Sequence, residues 1–84
     1  MTGRRREDNV RAWHSEPGDY WRQDRDGAWV WMCHCPGPND MVGDLSKHDV
    51  IEHEDGTITV SPSILVTGGG EWHGYLEHGE WRSA

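Results

Sequence analysis

Phenylalanine is missing from this chain of 84 residues, lysine occurs only at Lys47, cysteine only at Cys33 and Cys35, and hydrophobic residues make up 33% of the whole. With so few apolar residues, the six Trp and two Tyr must supply much of the buried area. A chain of this length accommodates one domain with a thin core and not two. No apolar run approaches the roughly 20 residues that a helical bilayer crossing takes, and no charged start followed by an apolar stretch resembles a secretory leader. The expectation is a protein that has no membrane partner and stays in the cytoplasm where it is made. A disulfide between Cys33 and Cys35 would close too small a loop to stabilise much. In a reducing compartment the pair reads as thiols or as metal ligands.

Basic charge is scarce in the body of the chain. Residues 1–26 carry six Arg and six Asp or Glu, whereas residues 27–84 carry Lys47 and Arg82 against nine acids, so the body holds the whole excess of the net charge of -7. Such a body repels phosphate backbones, and nucleic acid is not an expected partner. The run Arg4, Arg5, Arg6 is too short and too closely followed by Glu7 and Asp8 to reverse this.

Periodicity divides the chain at about residue 26. Residues 1–26 are polar, and Pro17-Gly18 breaks any helix that starts near Asp8, which predicts an extended N-terminal arm with one short helical turn near Val10 to Trp13. Trp13, Tyr20 and Trp21 within it are costly to leave in water, so the arm is expected to lie against the body or another molecule. Residues 27–84 read as one β-rich domain. The run from Ala28 to Cys35 alternates, placing Trp29, Trp31, Cys33 and Cys35 on one face of a strand and Val30, Met32 and His34 on the other, and the segment from Pro36 to Asp40 stops it. Asp49 to His53 and Thr57 to Val60, joined by Glu54-Asp55-Gly56, predict a hairpin. Pro62 makes Ser61 to Thr67 an edge strand or a bulged one, and Gly68, Gly69 and Gly70 predict a flexible connection. Trp72 to Leu76 returns as Glu80 to Arg82 through His78-Gly79, a second hairpin. The expected class is an all-β or β-dominated small domain, an antiparallel meander of five to six short strands.

Enzymatic motifs fail one by one. The chain has no His-Glu-x-x-His and no Gly-x-Ser-x-Gly. Asp24-x-Asp26-Gly27 resembles the start of a calcium loop, but Ala28 to Val30 begins a strand where further oxygen ligands are needed. The glycines at 68–70 lack a following helix and a phosphate-gripping Lys. A domain this thin is expected to be non-catalytic. Cys33 and Cys35 share a strand face and could hold zinc with a histidine from elsewhere, His73, His53, His48 or His34, against the alternative of two small buried apolar residues. The tryptophans carry the stronger signal. Trp29, Trp31, Trp72, Tyr75 and Trp81 sit on strands, and those not enclosed resemble the aromatic anchors of protein interfaces. Trp13 and Trp21 on the arm would enter protein pockets while Arg4, Arg5 and Arg6 meet carboxylates.

The pattern Cys33-His34-Cys35, then Ser61-Pro62-Ser63-Ile64-Leu65, then Trp72-His73-Gly74-Tyr75-Leu76 through Trp81 resembles a family of uncharacterised small domains of bacteriophages and prophages. The resemblance covers about residues 28–82 and implies that Cys33, Cys35 and His73 fall at the family's metal-ligand positions, zinc being the implied metal. It also implies a phage origin. The expectation that follows is a phage accessory protein incorporated in the virion, which docks on a capsid or tail protein, or on copies of itself, through the arm and a Trp-rich sheet. A second reading is a free cytoplasmic zinc-binding phage protein that binds or inhibits a host protein.

Overall fold

The computed structural model describes residues 1–37, 41–67 and 70–84, and these form nine strands: β1 (Arg4–Arg5), β2 (Asp19–Arg25), β3 (Ala28–His34), β4 (Val42–Asp44), β5 (Asp49–Glu52), β6 (Ile58–Ser61), β7 (Ile64–Thr67), β8 (Glu71–Glu77) and β9 (Glu80–Ser83). One 3₁₀ turn, Ala12–His14, falls where the helical turn is expected. The β-dominated class read from the sequence is therefore what the chain adopts. Nine strands replace the expected five or six because the N-terminal segment contributes two and the connections after β3 contribute another. The glycine connection, Gly68 and Gly69, and the residues Pro38 to Asp40 lie outside the described residues.

Three turns set the hairpins. Asp26 and Gly27 take φ of 54° and 87° and join β2 to β3 with Arg25 opposite Ala28. Positive φ at both central residues is the two-residue geometry whose twist matches the strands it connects. His78 and Gly79, at 46° and 76°, do the same for β8 and β9, and Glu54-Asp55-Gly56 closes β5 on β6 with Val50 opposite Val60. Both hairpins read from the sequence after residue 48 are present. The sheets are ordered β1-β2-β3-β4, β5-β6 and β7-β8-β9, with β7 at an edge as expected from Pro62.

The expected N-terminal arm over 1–26 is a correction. β2 is a full partner of β3, and residues 1–6 stitch two sheets together. Gly3 N–H bonds Gly79 oxygen at 2.7 Å, Trp81 N–H bonds Met1 oxygen at 2.8 Å, Arg4 N–H bonds Gly18 oxygen at 3.2 Å, and Arg6 N–H bonds Tyr20 oxygen at 2.9 Å. The cause is Asp19. Its side chain is only 3% exposed and accepts from Arg4 Nε and Nη2 (both 3.2 Å), from Arg6 Nη1 (2.8 Å) and from the Glu16 N–H (2.9 Å). A carboxylate taken out of water needs such partners, so it holds the arginines down.

The core combines Tyr20, Cys33, Cys35, Met41, Leu45, Ile58, Val60, Ile64, Trp72, Leu76 and Trp81. Trp72 and Trp81 meet edge to face at 5.3 Å between ring centroids, and Trp81 Nε1 donates to the Gly18 oxygen at 2.9 Å. Trp21 is buried on the opposite face of the β2–β3 hairpin, near Val10 and Met32. The strands form a ring around the core. It runs from β3 through β2, residues 1–6, β9 and β8 to β6, which is bonded to the β8–β9 turn by Gly79 N–H to Ile58 oxygen, and then to β5. Among the described residues the hydrogen-bonded ring stops there, between β5 and the first half of β3.

Candidate functional site

The interruption in the ring is a groove of about 440 Å³ whose lining includes Trp29 and Trp31 from β3, Leu45 after β4, and His48 and Val50 at β5. Register decides which backbone groups face it. Arg25 and Ala28 flank a two-residue turn and are a hydrogen-bonded pair, so alternate residues Trp29, Trp31 and Cys33 turn their N–H and C=O groups away from β2. The Leu45 N–H reaches the Trp31 oxygen at 2.8 Å, and β4 pairs only from Met32 onward. Beyond that point the chain turns off at Leu45 to His48. The outward groups of Trp29 therefore look into the groove, and no strand among the described residues pairs with them. On β5, the bond from His53 N–H to Thr57 oxygen fixes the alternation so that Val50 turns its backbone groups away from β6.

Charge around the groove is managed by pairs that hold the rings in place. Trp29, 54% exposed, lies under Arg22, whose guanidinium carbon is 4.8 Å from the ring centroid and which forks onto Asp8 at 3.1 and 2.8 Å. Trp31 is half-buried beneath Arg5, also at 4.8 Å, and Arg5 bonds Glu52 and the Gly56 oxygen at 2.9 Å each. Arg25 lies 3.5 Å from Asp44. Cation–ring contacts of this kind restrict both partners.

The other expected binding residues are scattered. Arg4, Arg5 and Arg6 are engaged within the chain, where the carboxylates they meet are Asp19, Glu52, Asp8 and Glu7. Trp21, Trp72 and Trp81 are buried, none of them more than 9% exposed. Trp13 is 73% exposed on the 3₁₀ turn, with Arg11 over its ring at 5.4 Å. Tyr75 is half-buried under Arg82 at 4.4 Å on the outer face of β8. Of the expected set, Trp29 and Trp31 share the groove beside β5, Trp13 and Trp21 border a second, and Trp72 and Trp81 border a third.

The structure does not bring the expected zinc ligands together. Cys33 and Cys35 are fully buried with their sulfurs 4.0 Å apart, whereas alternation along β8 turns His73 outward, where Nε2 lies 2.9 Å from Ser63 Oγ. His34 points to the opposite face of β3, His48 Nε2 lies 3.1 Å from the Ser63 oxygen, and His53 stacks on His78 at 3.8 Å. Among the described residues no group of three or more His, Cys, Asp or Glu side chains could hold a metal. The hydrogen bond between the thiols, helped by burial, pushes the Cys33 thiol up, and the same bond pulls Cys35 down.

A second groove adjoins Ser15 and His34, whose Oγ and Nδ1 are 2.8 Å apart. Ser15 Oγ donates its single hydrogen to the Ala12 oxygen at 2.6 Å. A nucleophile and its base require that hydrogen to be directed at the imidazole nitrogen, whereas here it is directed to the Ala12 oxygen.

Fold and site together define a small ring of β-strands with a Trp-lined opening between β3 and β5. Comparison of the chain with protein-family models, with curated proteins and with solved structures finds no match in any of the three. Sequence reasoning reached Trp29 and Trp31, named His48 only as a candidate zinc ligand, placed Val50 only in a hairpin strand, and missed Leu45. The approach of β5 to β3 is not local in sequence, and Leu45 and His48 lie between the segments that alternation marks as strands.

Proposed function

We propose that this chain is a non-catalytic protein-binding module that takes an extended segment of a partner protein into the opening between β3 and β5. The observation that carries the reading is the outward-facing backbone of Trp29 beside its exposed indole. A strand laid there gains main-chain hydrogen bonds on one side and an aromatic anchor on the other, the combination by which extended peptides add to sheet edges. Asp49 and Glu52 flank the β5 edge and the chain carries a net charge of -7, so the fitting segment is apolar at its centre and basic at its flanks. The resemblance of residues 28–82 to phage domains makes virion proteins the first partners to test, with docking through this groove in place of an arm.

Selection of linear peptides from a random display library, followed by titration calorimetry, tests the reading. Peptides with apolar centres and basic flanks should be enriched. Trp29→Ala should weaken them by about 2 kcal/mol, roughly thirtyfold in Kd, as expected for a central aromatic anchor. Equal binding to wild type and Trp29→Ala would remove the groove from consideration.

A further inference from the structure

From Ser61 to Gly70 the sequence holds no charged residue, although the chain as a whole is strongly acidic. β7 lies inside that stretch and forms one edge of its sheet. Apart from the groove between β3 and β5, the other edges carry a cover or a charge. Met1 to Gly3 cover β9, Asp44 ends β4, and Asp49 and Glu52 end β5. Charged or covered edges are the usual defence against pairing with another chain. Among the described residues no charged side chain or strand covers the free edge of β7, where Leu65 is 57% exposed; only the Ser63 oxygen just before it is met, by His48 Nε2 at 3.1 Å.

The register makes this edge competent to pair. His78-Gly79 is a two-residue turn, so Glu77 and Glu80 are a hydrogen-bonded pair, and the bond from Ala84 N–H to His73 oxygen at 3.0 Å continues the alternation. His73 and Tyr75 therefore address β9, while Trp72 and Gly74 address Val66 and Ile64 of β7. Leu65, between them, turns both its N–H and its C=O outward.

We propose that β7 is a self-association edge and that its partner is β7 of a second copy of this chain, antiparallel, with the twofold axis at Leu65. That register places Leu65 opposite Leu65, Ile64 opposite Val66, and Ser63, whose oxygen keeps a second lone pair beside the one that meets His48, opposite Thr67. Each pair is alike in chemistry, apolar with apolar and hydroxyl with hydroxyl, which is the favourable condition for cross-strand neighbours. Twofold symmetry requires such self-complementarity. No like charges are brought together, and the net charge of each copy acts from beyond the edge, where salt screens it. Strand pairs this short bury little area, so the dimer is weak and depends on concentration. Two three-stranded sheets become one of six strands, and the groove at Trp29 lies on a different edge.

Sedimentation equilibrium from about 10 μM to about 1 mM, a range that spans weak association, tests the proposal on the full chain. The expected result is a monomer–dimer equilibrium that Leu65→Lys weakens at least tenfold by placing two ammonium groups face to face. Leu65→Thr should retain it. A chain that stays monomeric over the whole range, or a dimer indifferent to Leu65→Lys, overturns it. Amide exchange gives a readout without mutation: protection of the Leu65 N–H rises with wild-type concentration if β7 is the edge, and constant protection while mass doubles contradicts it.

Discussion

Asp19 and Arg6, thirteen residues apart in sequence, meet at 2.8 Å with the carboxylate almost fully enclosed. Burial works against the charge of Asp19, but the hydrogen bonds from Arg4, the Glu16 N–H and Arg6 outweigh it and hold the carboxyl below its usual value. The ion pair folds the first residues back across β2.

A first prediction concerns that carboxylate. Asp19→Asn leaves Arg4 and Arg6 without their charged acceptor and should cost about 2 kcal/mol at neutral pH, read from urea midpoints. A depressed folded-state pKa gives stability that is present above the unfolded value of about 3.8 and lost as pH falls through the folded one. The gap between wild type and Asp19→Asn should therefore narrow below about pH 4. A gap unchanged down to pH 2 would show that the carboxylate's charge is not what stabilises the fold.

A second prediction separates an arm from an integral segment. Deleting residues 1–6 removes the bonds to Gly79, Gly18 and Tyr20 and strips a buried carboxylate of its arginines. The loss should be about 3 kcal/mol or more, visible as a lower urea midpoint. An unaltered midpoint would restore the arm.

Gly3→Ala probes the same stitch with one methyl group. A Cβ there would stand 2.7 Å from both the Gly18 oxygen and Trp81 Nε1. Overpacking against backbone at that distance should cost about 1–3 kcal/mol. A melting temperature equal to that of wild type would mean that residues 1–3 are displaced without penalty.

For the cysteines, the geometry predicts packing and not metal-dependent stability. Cys33→Ala should lower stability by about 1 kcal/mol whether or not a chelator is present. His73→Ala, on the exposed face, should stay within about 0.5 kcal/mol of wild type. A chelator-dependent melting temperature abolished by either change would reinstate the zinc site.

Much of the fold was legible because its signals are local. Asp55-Gly56 and His78-Gly79 each sit between alternating segments, and Trp29 to Cys35 alternates cleanly. Asp26-Gly27 is the same signal, yet it lay at the end of residues read as an arm, and β2 was hidden by its polar residues Arg22, Gln23 and Asp24. Burial of Asp19 was not legible, since it depends on arginines that no periodicity places beside it. The likeness between Trp21, Trp81 and Trp29 in sequence conceals opposite fates. Only the closing of the ring decides that two are enclosed and one is exposed.

The measurement that bears most directly on the binding groove is residue-resolved amide exchange of the chain, free and saturated with a selected basic-flanked peptide. A strand added between β3 and β5 should slow exchange at Trp29 and Val50 at least tenfold, leave the amides of β8 and β9 unchanged, and lose this pattern in Trp29→Ala. Protection that falls on Trp13 or Tyr75 while Trp29 and Val50 exchange at their free rates would contradict the account.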